Sequence, residues 1–325
     1  MKIFIYPTFN PKVDVNAYTR LFHEAFMNAA NWTYVNRLGR LSVMGIWANM
    51  DADVMVLNWP ENVVKRKFPN IQMCLLILGV NVARLLNKKI IWVMHNKHHH
   101  GGVSIRGQWL MKIMSEKATF VMTHSKEGVR HFNDTYLPEK GKCFYLPHPV
   151  YTTRIFPKSV PEWDYIIWGS IEPRKNILEF IEYTGRSSFF RDKRILICGK
   201  CKDEGYFSRI ESLCGKNITL LNKRVDDEEL EGYISRSKMV LFTYSIGSML
   251  SSGALVYSIN FLKPIIGPKV GSFVDMIGIT ATYESFADIE HIAPWDNSLE
   301  CKEYIEENTW ANLPGKLLNM LNKPE

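Results

Sequence analysis

The sequence lacks the features that mark secreted, disulfide-stabilised or membrane-spanning proteins. Its first residues, MKIFIYPTF, contain an apolar run too short for a signal peptide. No uninterrupted apolar run reaches the roughly 18 residues that a spanning helix needs, and the longest candidate, IQMCLLILGVNVARLL, is predicted to be a buried helix. The six cysteines are irregularly spaced and imply no disulfide framework. These absences predict a cytoplasmic protein with reduced thiols.

Neither sign of charge forms a long block. Lysine and arginine exceed aspartate and glutamate by 40 to 33, and the formal net charge of +7 favours anionic partners such as nucleotides, phosphates or an acidic membrane face. The densest basic cluster is KRK at residues 65 to 67. A nucleic-acid-binding protein is an alternative, but nucleic acid is not the expected partner.

The order of predicted elements indicates two α/β domains. With 325 residues and 46% hydrophobic content, the chain is too long for one core. Strands alternate with helices, which predicts parallel βαβ units and two Rossmann-like domains over residues 1–150 and 151–304, with their sheets facing an interdomain cleft. The predicted strands are KIFIYPTF, DVMVLNWP, KKIIWVMHN, ATFVMTHS, KCFYLPHP, DYIIWGS, RILICGK, NITLLNK, KMVLFTYS and KPIIG. Ligands of such sheets bind beyond the carboxyl ends of the strands, so the residues that follow each strand are site candidates.

Two segments of the second half have features of a phosphate site. In WGSIEPRKNILEF, Arg174 and Lys175 precede a helix and could neutralise a diphosphate, the alternative being a solvated basic turn. Ser251 and Ser252 are natural caps for the helix GALVYSINFL, and Gly253 would let an anion approach the amides there, the alternative being an ordinary cap. Taken together, the two segments favour the phosphate interpretation. Further strand-end candidates in this half are Gly169, Ser170, Lys200, Arg224 and Tyr244.

The CGKC segment at residues 198 to 201 has the spacing of a redox pair. No second CxxC accompanies it to complete a zinc site. We interpret Cys198 as a buried strand residue and Cys201 as incidental, with a thioredoxin-type pair as the alternative.

Four histidines, His95, His98, His99 and His100, follow the apolar run IIWVM. Adjacent histidines cannot all converge on one metal ion without an unusual loop, and no clustered carboxylates support them. A metal site and a flexible basic loop are the alternatives. The favoured hypothesis is that His95, at a strand end, hydrogen-bonds sugar hydroxyls or transfers protons.

Several short segments occur in an order that matches a known family. WVMHNKHHH is similar to "TVHN…H", LNWPE to "LHWPE", LPHPVY to "IPHPNY", SSGALVYSINFLKPIIGPKVGS to "NSGSVILALSFGKPVICPKIGS", and ENTWANLPGKLLNML to "SWxxIAxKLxxxY". The ordered set resembles bacterial GT-B-fold glycosyltransferases near family 4, which build capsular and exopolysaccharide repeat units. Three features depart from the family pattern, one of them Met94 in place of a small or β-branched residue before the histidine. Asn58 stands where the family often has histidine, and the glutamate pair E-x7-E is absent from the region of Met249, Ser251 and Tyr257.

The resemblance implies a hexosyltransferase that uses a nucleotide sugar, UDP-sugar being expected on frequency alone, and needs no metal or other cofactor. The C-terminal domain would bind the donor and the N-terminal domain a saccharide acceptor, and residues 305–325 would pack back on the N-terminal domain. His95 would contact the donor sugar, and Glu61, His100 or Asp14 would be the base in an inverting reaction. The acceptor candidates are Asn10, Asn16, Tyr18, Asn58 and Asn96.

The cationic cluster at 65 to 67 suits an acceptor carried on a polyprenyl diphosphate, and peripheral contact with the inner membrane face is a further expectation. Two other classes of protein are weighed against the transferase. One is a GT-B-fold sugar-nucleotide epimerase, and the other is a non-catalytic protein that binds a nucleotide sugar or nucleic acid.

Overall fold

The computed structural model describes residues 1–13, 16–39, 41–98, 104–139, 141–245, 247 and 249–322. Within this part of the chain there are two compact units. The first contains the described residues up to 151 together with 249–251 and 308–322, and the second contains the described residues of 152–247 and 252–307.

Each unit is built on a six-stranded, fully parallel sheet with helices between the strands. The strands are β1 (Lys2–Tyr6), β2 (Thr33–Val35), β3 (Val54–Asn58), β4 (Lys89–Val93), β5 (Phe120–Thr123), β6 (Cys143–Tyr145), β7 (Trp163–Trp168), β8 (Ile195–Cys198), β9 (Ile218–Leu221), β10 (Ser237–Leu241), β11 (Ile265–Pro268) and β12 (Thr280–Tyr283). The α-helices are α1 (Ala17–Met27), α2 (Met44–Ala48), α3 (Pro69–Leu85), α4 (Ile105–Lys117), α5 (Lys126–Tyr136), α6 (Ile177–Thr184), α7 (Glu204–Leu213), α8 (Asp227–Ser235), α9 (Gly253–Ile259), α10 (Ser272–Asp275), α11 (Ser298–Glu307) and α12 (Leu313–Leu321).

The strand orders of the two sheets differ. The first sheet runs β2-β1-β3-β4-β5-β6, so its order reverses between β1 and β3, as in flavodoxin-like domains. The second runs β12-β11-β10-β7-β8-β9, which is the order of dinucleotide-binding domains and reverses between β7 and β10. Because ligands of open parallel sheets bind where the order reverses, each unit has one favoured position for a site.

The first sheet is buried on both faces. Phe4 and Trp92 point to the face covered by α3 and α4, whereas Ile3 and Ile91 point to the face covered by α1 and α12. This follows from the two-residue repeat of a strand, in which consecutive side chains alternate between faces. The second sheet has a similar apolar core, to which Tyr165, Ile167 and Ile195 contribute together with residues of α6 and α7.

The predicted α/β class with two parallel sheets is confirmed. All ten predicted strands are present, and β2 and β12 were not predicted from the sequence. Both lie at a sheet edge and are short, and their residues are mostly only partly buried, so they lack the strong apolar pattern that marks the other strands.

The helix predicted to be buried, α3, was predicted wrongly in part. Gln72, Leu76 and Val80 are buried, but Ile71, Leu78 and Leu85 are 55%, 54% and 81% exposed. Apolar residues all around a helix do not distinguish a fully buried helix from one that leaves an apolar face open. Among the described residues, no helix combines the length and apolarity needed to cross a bilayer.

Candidate functional site

In the second unit, a buried lysine lies where the strand order reverses. Lys175 is 5% exposed, and its Nζ lies 5.5 Å from the ring centroid of Tyr244, which follows β10. The same ammonium lies 3.4 Å from the carbonyl oxygen of Trp168, at the end of β7. The Thr243 hydroxyl donates to the Lys175 carbonyl oxygen at 2.5 Å and holds the loop against β10. The lysine is thereby fixed between the ends of the two strands.

Two glycines make room for this arrangement. Gly169 has φ +95°, and a Cβ there would lie 2.7 Å from Lys175 Nζ. A Cβ at Gly199, which follows β8, would lie 1.9 Å from the Gly169 carbonyl oxygen. Only glycine permits backbone and ammonium to approach this closely.

The cations here are only partly neutralised by the protein. Burial and the adjacent Arg174 lower the pKa of Lys175 to about 8. Arg174 itself is exposed, and its Nε donates to a Glu172 carboxylate oxygen at 2.7 Å. The Arg174 carbonyl oxygen accepts hydrogen bonds from Ser245, from the amide at 3.1 Å and from the hydroxyl at 3.0 Å, which anchors the loop. A buried ammonium of lowered pKa gains stability when an anion binds beside it.

Ser252 lies beside Tyr244 and joins it and Lys175 in one cluster. Its Oγ accepts the Leu255 amide hydrogen at 3.2 Å as the cap of α9, and it lies 3.5 Å from the Tyr244 hydroxyl. The contacts therefore connect Lys175 to Tyr244 and Tyr244 to Ser252, with Gly253 next in the chain.

The remaining donor candidates are less directly connected to this cluster. Ser251 belongs to the first unit with Met249 and Leu250. Ser170, Lys200 and Arg224 are exposed at the same edge of the second sheet.

In the first unit, Tyr18 lies at the centre of a group of rings. The rings within 5.7 Å of it include Trp59, His95, His124, His148 and Trp310. Tyr18, an acceptor candidate in the sequence, is only 6% exposed, and most of its side chain packs against these rings.

The hydrogen bonds of His124 define its tautomer. His124 Nδ1–H donates to the Leu146 carbonyl oxygen at 2.8 Å, because a carbonyl only accepts. Its Nε2 therefore accepts from the Tyr18 hydroxyl, also at 2.8 Å. Burial lowers the pKa of His124 to about 4, which keeps the imidazole neutral near pH 7.

His95 is held in a defined orientation at the end of β4. Its Nε2–H donates to Asn58 Oδ1 at 3.1 Å, and the Asn58 amide nitrogen in turn donates to the Tyr6 carbonyl oxygen at 3.2 Å. The Trp59 indole stacks on the imidazole with ring centroids 4.0 Å apart. Trp59 has φ +48°, a backbone conformation that non-glycine residues rarely adopt outside functional sites and turns.

A pocket of about 360 Å³ lies beside this histidine, where the order of the first sheet reverses between β1 and β3. It is lined by Tyr6, Pro7, Asn16, Thr19, Asn58, Trp59, Asn62 and Arg66. Asn16 and Asn58 were predicted from the sequence, whereas Trp59, Asn62 and Arg66 were not predicted as site residues. Their position shortly after the end of β3, around Pro60, is the sequence feature that could have identified them.

The other acceptor candidates have local structural partners. Asn16 Oδ1 also caps α1 by accepting the Thr19 amide hydrogen at 2.8 Å. Asn10 Oδ1 accepts the Lys12 amide hydrogen at 3.0 Å within a turn. Asn96 pairs with Met249 in an antiparallel bridge.

Glu61, a candidate base, does not face the ring group. It is 6% exposed and lies near Trp92 and Tyr136, on the α3 and α4 face of the sheet, whereas Tyr18 packs on the opposite face. Burial raises the pKa of Glu61 to about 7. Among the described residues its Oε2 has no hydrogen-bond partner. The other candidate bases, His100 and Asp14, lie outside the described residues.

Among the described residues, the remaining histidines and cysteines form no cluster that could bind a metal ion. His98 contacts the ring of His131, with centroids 6.1 Å apart, and His99 lies outside the described residues. In the part of the chain that the structure describes, no three histidine, cysteine or acidic side chains are grouped to hold a metal. Cys198 is buried, and burial raises the pKa of its thiol to about 12, so it lacks the reactive thiolate of a redox pair.

No protein-family model and no curated protein matches this sequence. Solved structures match it by fold. Anabaena HepE in complex with UDP-glucose aligns with a TM-score of 0.68 at 11% identity over 99% of both chains. AviGT4, a glycosyltransferase involved in avilamycin A biosynthesis, aligns with a TM-score of 0.58 at 11% identity over 98% of this chain and 96% of its own.

The chain spans about half the length of TarM, covering 55% of it, with 83% of this chain aligned at a TM-score of 0.58 and 14% identity. Together with the two parallel sheets, these likenesses show that the protein has the GT-B fold that the sequence predicted.

Proposed function

We propose that this protein is a glycosyltransferase that moves a sugar from a UDP-sugar to a saccharide acceptor. The observation that carries the proposal is the buried, incompletely neutralised Lys175 beside Arg174, at the position where the order of the second sheet reverses. The fold supports it, because HepE has the same fold and its structure contains UDP-glucose.

The chemistry of transfer explains why cations are needed at this position. Glycosyl transfer passes through an oxocarbenium-like centre while a nucleoside diphosphate leaves. Lys175 and Arg174 would stabilise the charge that develops on the departing phosphate, and prearranged charges of this kind supply a large part of enzymatic rate enhancement. The Ser252 cap and Gly253 would add polar contacts beside Tyr244. The proposal assigns this role to side chains and includes no metal ion or other cofactor.

In the first unit, the pocket beside His95 would hold the acceptor. Its asparagine side chains and the Trp59 ring offer hydrogen bonds and a stacking surface, the usual contacts of a sugar ring. His95 would contact the reacting sugar, and Asn58 would position it through the Nε2 hydrogen bond. Asn58 is thus a positioning residue, and the base of an inverting reaction has no assignment.

The finer features of the proposal rest on the sequence resemblance. They are hexosyl transfer, an acceptor linked to a polyprenyl diphosphate, a role in capsular or exopolysaccharide synthesis, and peripheral contact with a membrane. The basic residues 65 to 67 support the last of these, because anionic headgroups attract clustered cations.

Ligand-induced thermal stabilisation tests the donor site. UDP is expected to raise the melting temperature more than GDP, TDP or CMP, because a ligand bound by the native state stabilises it. Arg174→Ala with Lys175→Ala should abolish the UDP effect, whereas Arg209→Ala with Lys216→Ala, at exposed positions of the same unit, should preserve it. Equal stabilisation of both double variants by UDP would contradict the proposed site.

Incubation with a UDP-sugar separates the reaction classes. Transfer requires an acceptor, so consumption of the donor should depend on added saccharide. Conversion of one UDP-sugar into its epimer without acceptor would instead identify an epimerase. Tight UDP binding without either reaction, across a panel of lipid-linked acceptors, would indicate a binding protein.

A further inference from the structure

The positive charge of the chain is concentrated in one part of the first unit. Residues 62 to 115 contain nine lysine and arginine residues and no aspartate or glutamate. This segment therefore has a formal charge of +9. The whole chain has a formal charge of +7, so the remaining residues sum to −2. The segment contains α3, β4 and residues 105 to 115 of α4.

Four large apolar side chains are exposed at the starts of α3 and α4. Phe68 and Ile71 are 63% and 55% exposed, and Ile105 and Trp109 are 83% and 49% exposed. Single exposed apolar residues are ordinary, but a group of this size on a charged face marks an interaction surface.

These side chains belong to one surface because the two helices pack together. Arg106 Nη1, in the first turn of α4, donates to Asn70 Oδ1, in the first turn of α3, at 3.0 Å. Phe68, just before α3, has φ +54°, a conformation that is unfavourable for a bulky residue. The Phe68 ring is thus held in solvent by a residue whose backbone conformation is unfavourable.

The cations at 65 to 67 line a pocket next to Phe68. The pocket has a volume of about 570 Å³ and is lined by Leu41, Ser42, Asn62, Lys65, Arg66, Lys67 and Gln72. Gln72 is 2% exposed, and its Nε2 donates to the Lys67 carbonyl oxygen at 2.7 Å. Among the described residues, its Oε1 has no hydrogen-bond partner. The pocket thus offers cations for a phosphate and a buried acceptor for a hydroxyl or amine.

We propose that this surface, formed by residues 65 to 67 with Phe68, Ile71, Ile105 and Trp109, binds an anionic phospholipid bilayer. The apolar side chains would enter the headgroup region and the cations would pair with lipid phosphates, with Gln72 Oε1 accepting a hydroxyl of a glycerol headgroup. Nucleic acid would use the cations but not four aliphatic and aromatic side chains, one of them strained. The inference locates the membrane contact of the proposed function and rests on that proposal for its biological role.

Sedimentation with lipid vesicles tests the surface. The full-length protein should bind vesicles of equimolar phosphatidylcholine and phosphatidylglycerol and bind poorly to phosphatidylcholine alone. Neutralising Lys65, Arg66 and Lys67 to Gln should weaken partitioning roughly 100-fold, since each cation near an anionic surface contributes about fivefold. This effect should shrink at high salt, where charges are screened.

The apolar contribution is tested separately by the combined variant Phe68→Asn, Ile105→Gln and Trp109→Gln. Asparagine tolerates the conformation of residue 68, and glutamine preserves helix propensity. We expect at least about tenfold weaker partitioning that persists at high salt, from the lost burial of apolar side chains. Matched controls lie in the second unit: Arg191, Arg209 and Lys216 to Gln for charge, and Ile277→Gln with Leu299→Gln for exposed apolar residues.

Three results would overturn the inference. The first is equal binding to both vesicle types, and the second is an equal loss of vesicle binding in the control variants. The third is binding of duplex nucleic acid that competes with vesicles and is equally strong in the wild type and the apolar variant. UDP-induced stabilisation of the apolar variant is measured in parallel. Vesicle binding without any UDP effect would leave the surface standing and reject the proposed function, and the reverse pattern would reject only the surface.

Discussion

Gly199 packs directly against Gly169, so that a Cβ at position 199 would meet the Gly169 carbonyl oxygen at 1.9 Å. This contact joins the ends of β7 and β8 and sets the position of Gly169 under the Lys175 ammonium. We expect Gly199→Ala to lower the free energy of unfolding by about 1–3 kcal/mol or more, because the backbone must move to admit the methyl group. Urea denaturation measures this change in the free energy of unfolding.

The matched control for Gly199→Ala is Gly315→Ala in α12. A Cβ at Gly315 meets nothing within 4 Å, and alanine is the better helix former, so this variant should be neutral or slightly more stable. Similar losses in both variants would show that the close contact at Gly199 does not determine stability.

Lys175→Met should abolish UDP binding and stabilise the folded protein. Burial of the charged ammonium lowers its pKa to about 8. Keeping Lys175 protonated near pH 7 therefore lowers the free energy of unfolding. Removing the charge should raise the unfolding free energy by roughly 1–3 kcal/mol, and it should abolish stabilisation by UDP. Differential scanning with and without UDP measures both effects. A destabilised variant that still responds to UDP would contradict this account of Lys175.

UDP affinity should depend on pH through Lys175. Only the protonated ammonium attracts a diphosphate, and in the free protein its pKa is about 8. Affinity should therefore be nearly constant below about pH 7, begin to fall as the pH approaches 8, and decline by up to about tenfold per pH unit well above it. Titration calorimetry in a buffer series measures this dependence. An unchanged wild-type affinity at pH 9 would argue against the assignment.

Three buried histidines should make the first unit sensitive to acid. Burial lowers the pKa of His23 and His124 to about 4 and that of His148 to about 3. Between about pH 6.5 and these values, the unfolded chain binds protons that the folded chain does not, so stability falls as pH falls. Unfolding free energies measured between pH 7 and pH 4 should decline by roughly 1.4 kcal/mol per pH unit for each histidine. His148→Gln should reduce this decline by roughly 1.4 kcal/mol per pH unit.

His95 and Asn58 should affect turnover rather than donor binding. His95→Ala is expected to lower kcat about 100-fold or more, and Asn58→Ala about tenfold, because the second change removes only the hydrogen bond that orients the ring. UDP stabilisation should be the same as in the wild type, since both residues lie in the first unit. A loss of UDP binding with unchanged kcat would reverse the roles assigned to the two units.

Local chain properties sufficed to predict the elements and the class of fold. The alternation of apolar strands with helical segments, and the prolines and glycines that end them, are recorded in neighbouring residues, and the ten predicted strands are all present. The residues that follow those strands, among them Lys175, Tyr244 and His95, could be chosen as candidates for the same reason.

Which candidates meet was decided only by the tertiary structure. Strand order comes from long-range packing, and it is this order that places Tyr244, after β10, beside Lys175, after β7. The face that a side chain occupies also depends on its neighbours in space, which is why Glu61 is separated from the ring group although it is three residues from Asn58. The exposed side of α3 has the same origin. When a helix is apolar on all sides, its sequence does not indicate which face the rest of the fold will cover.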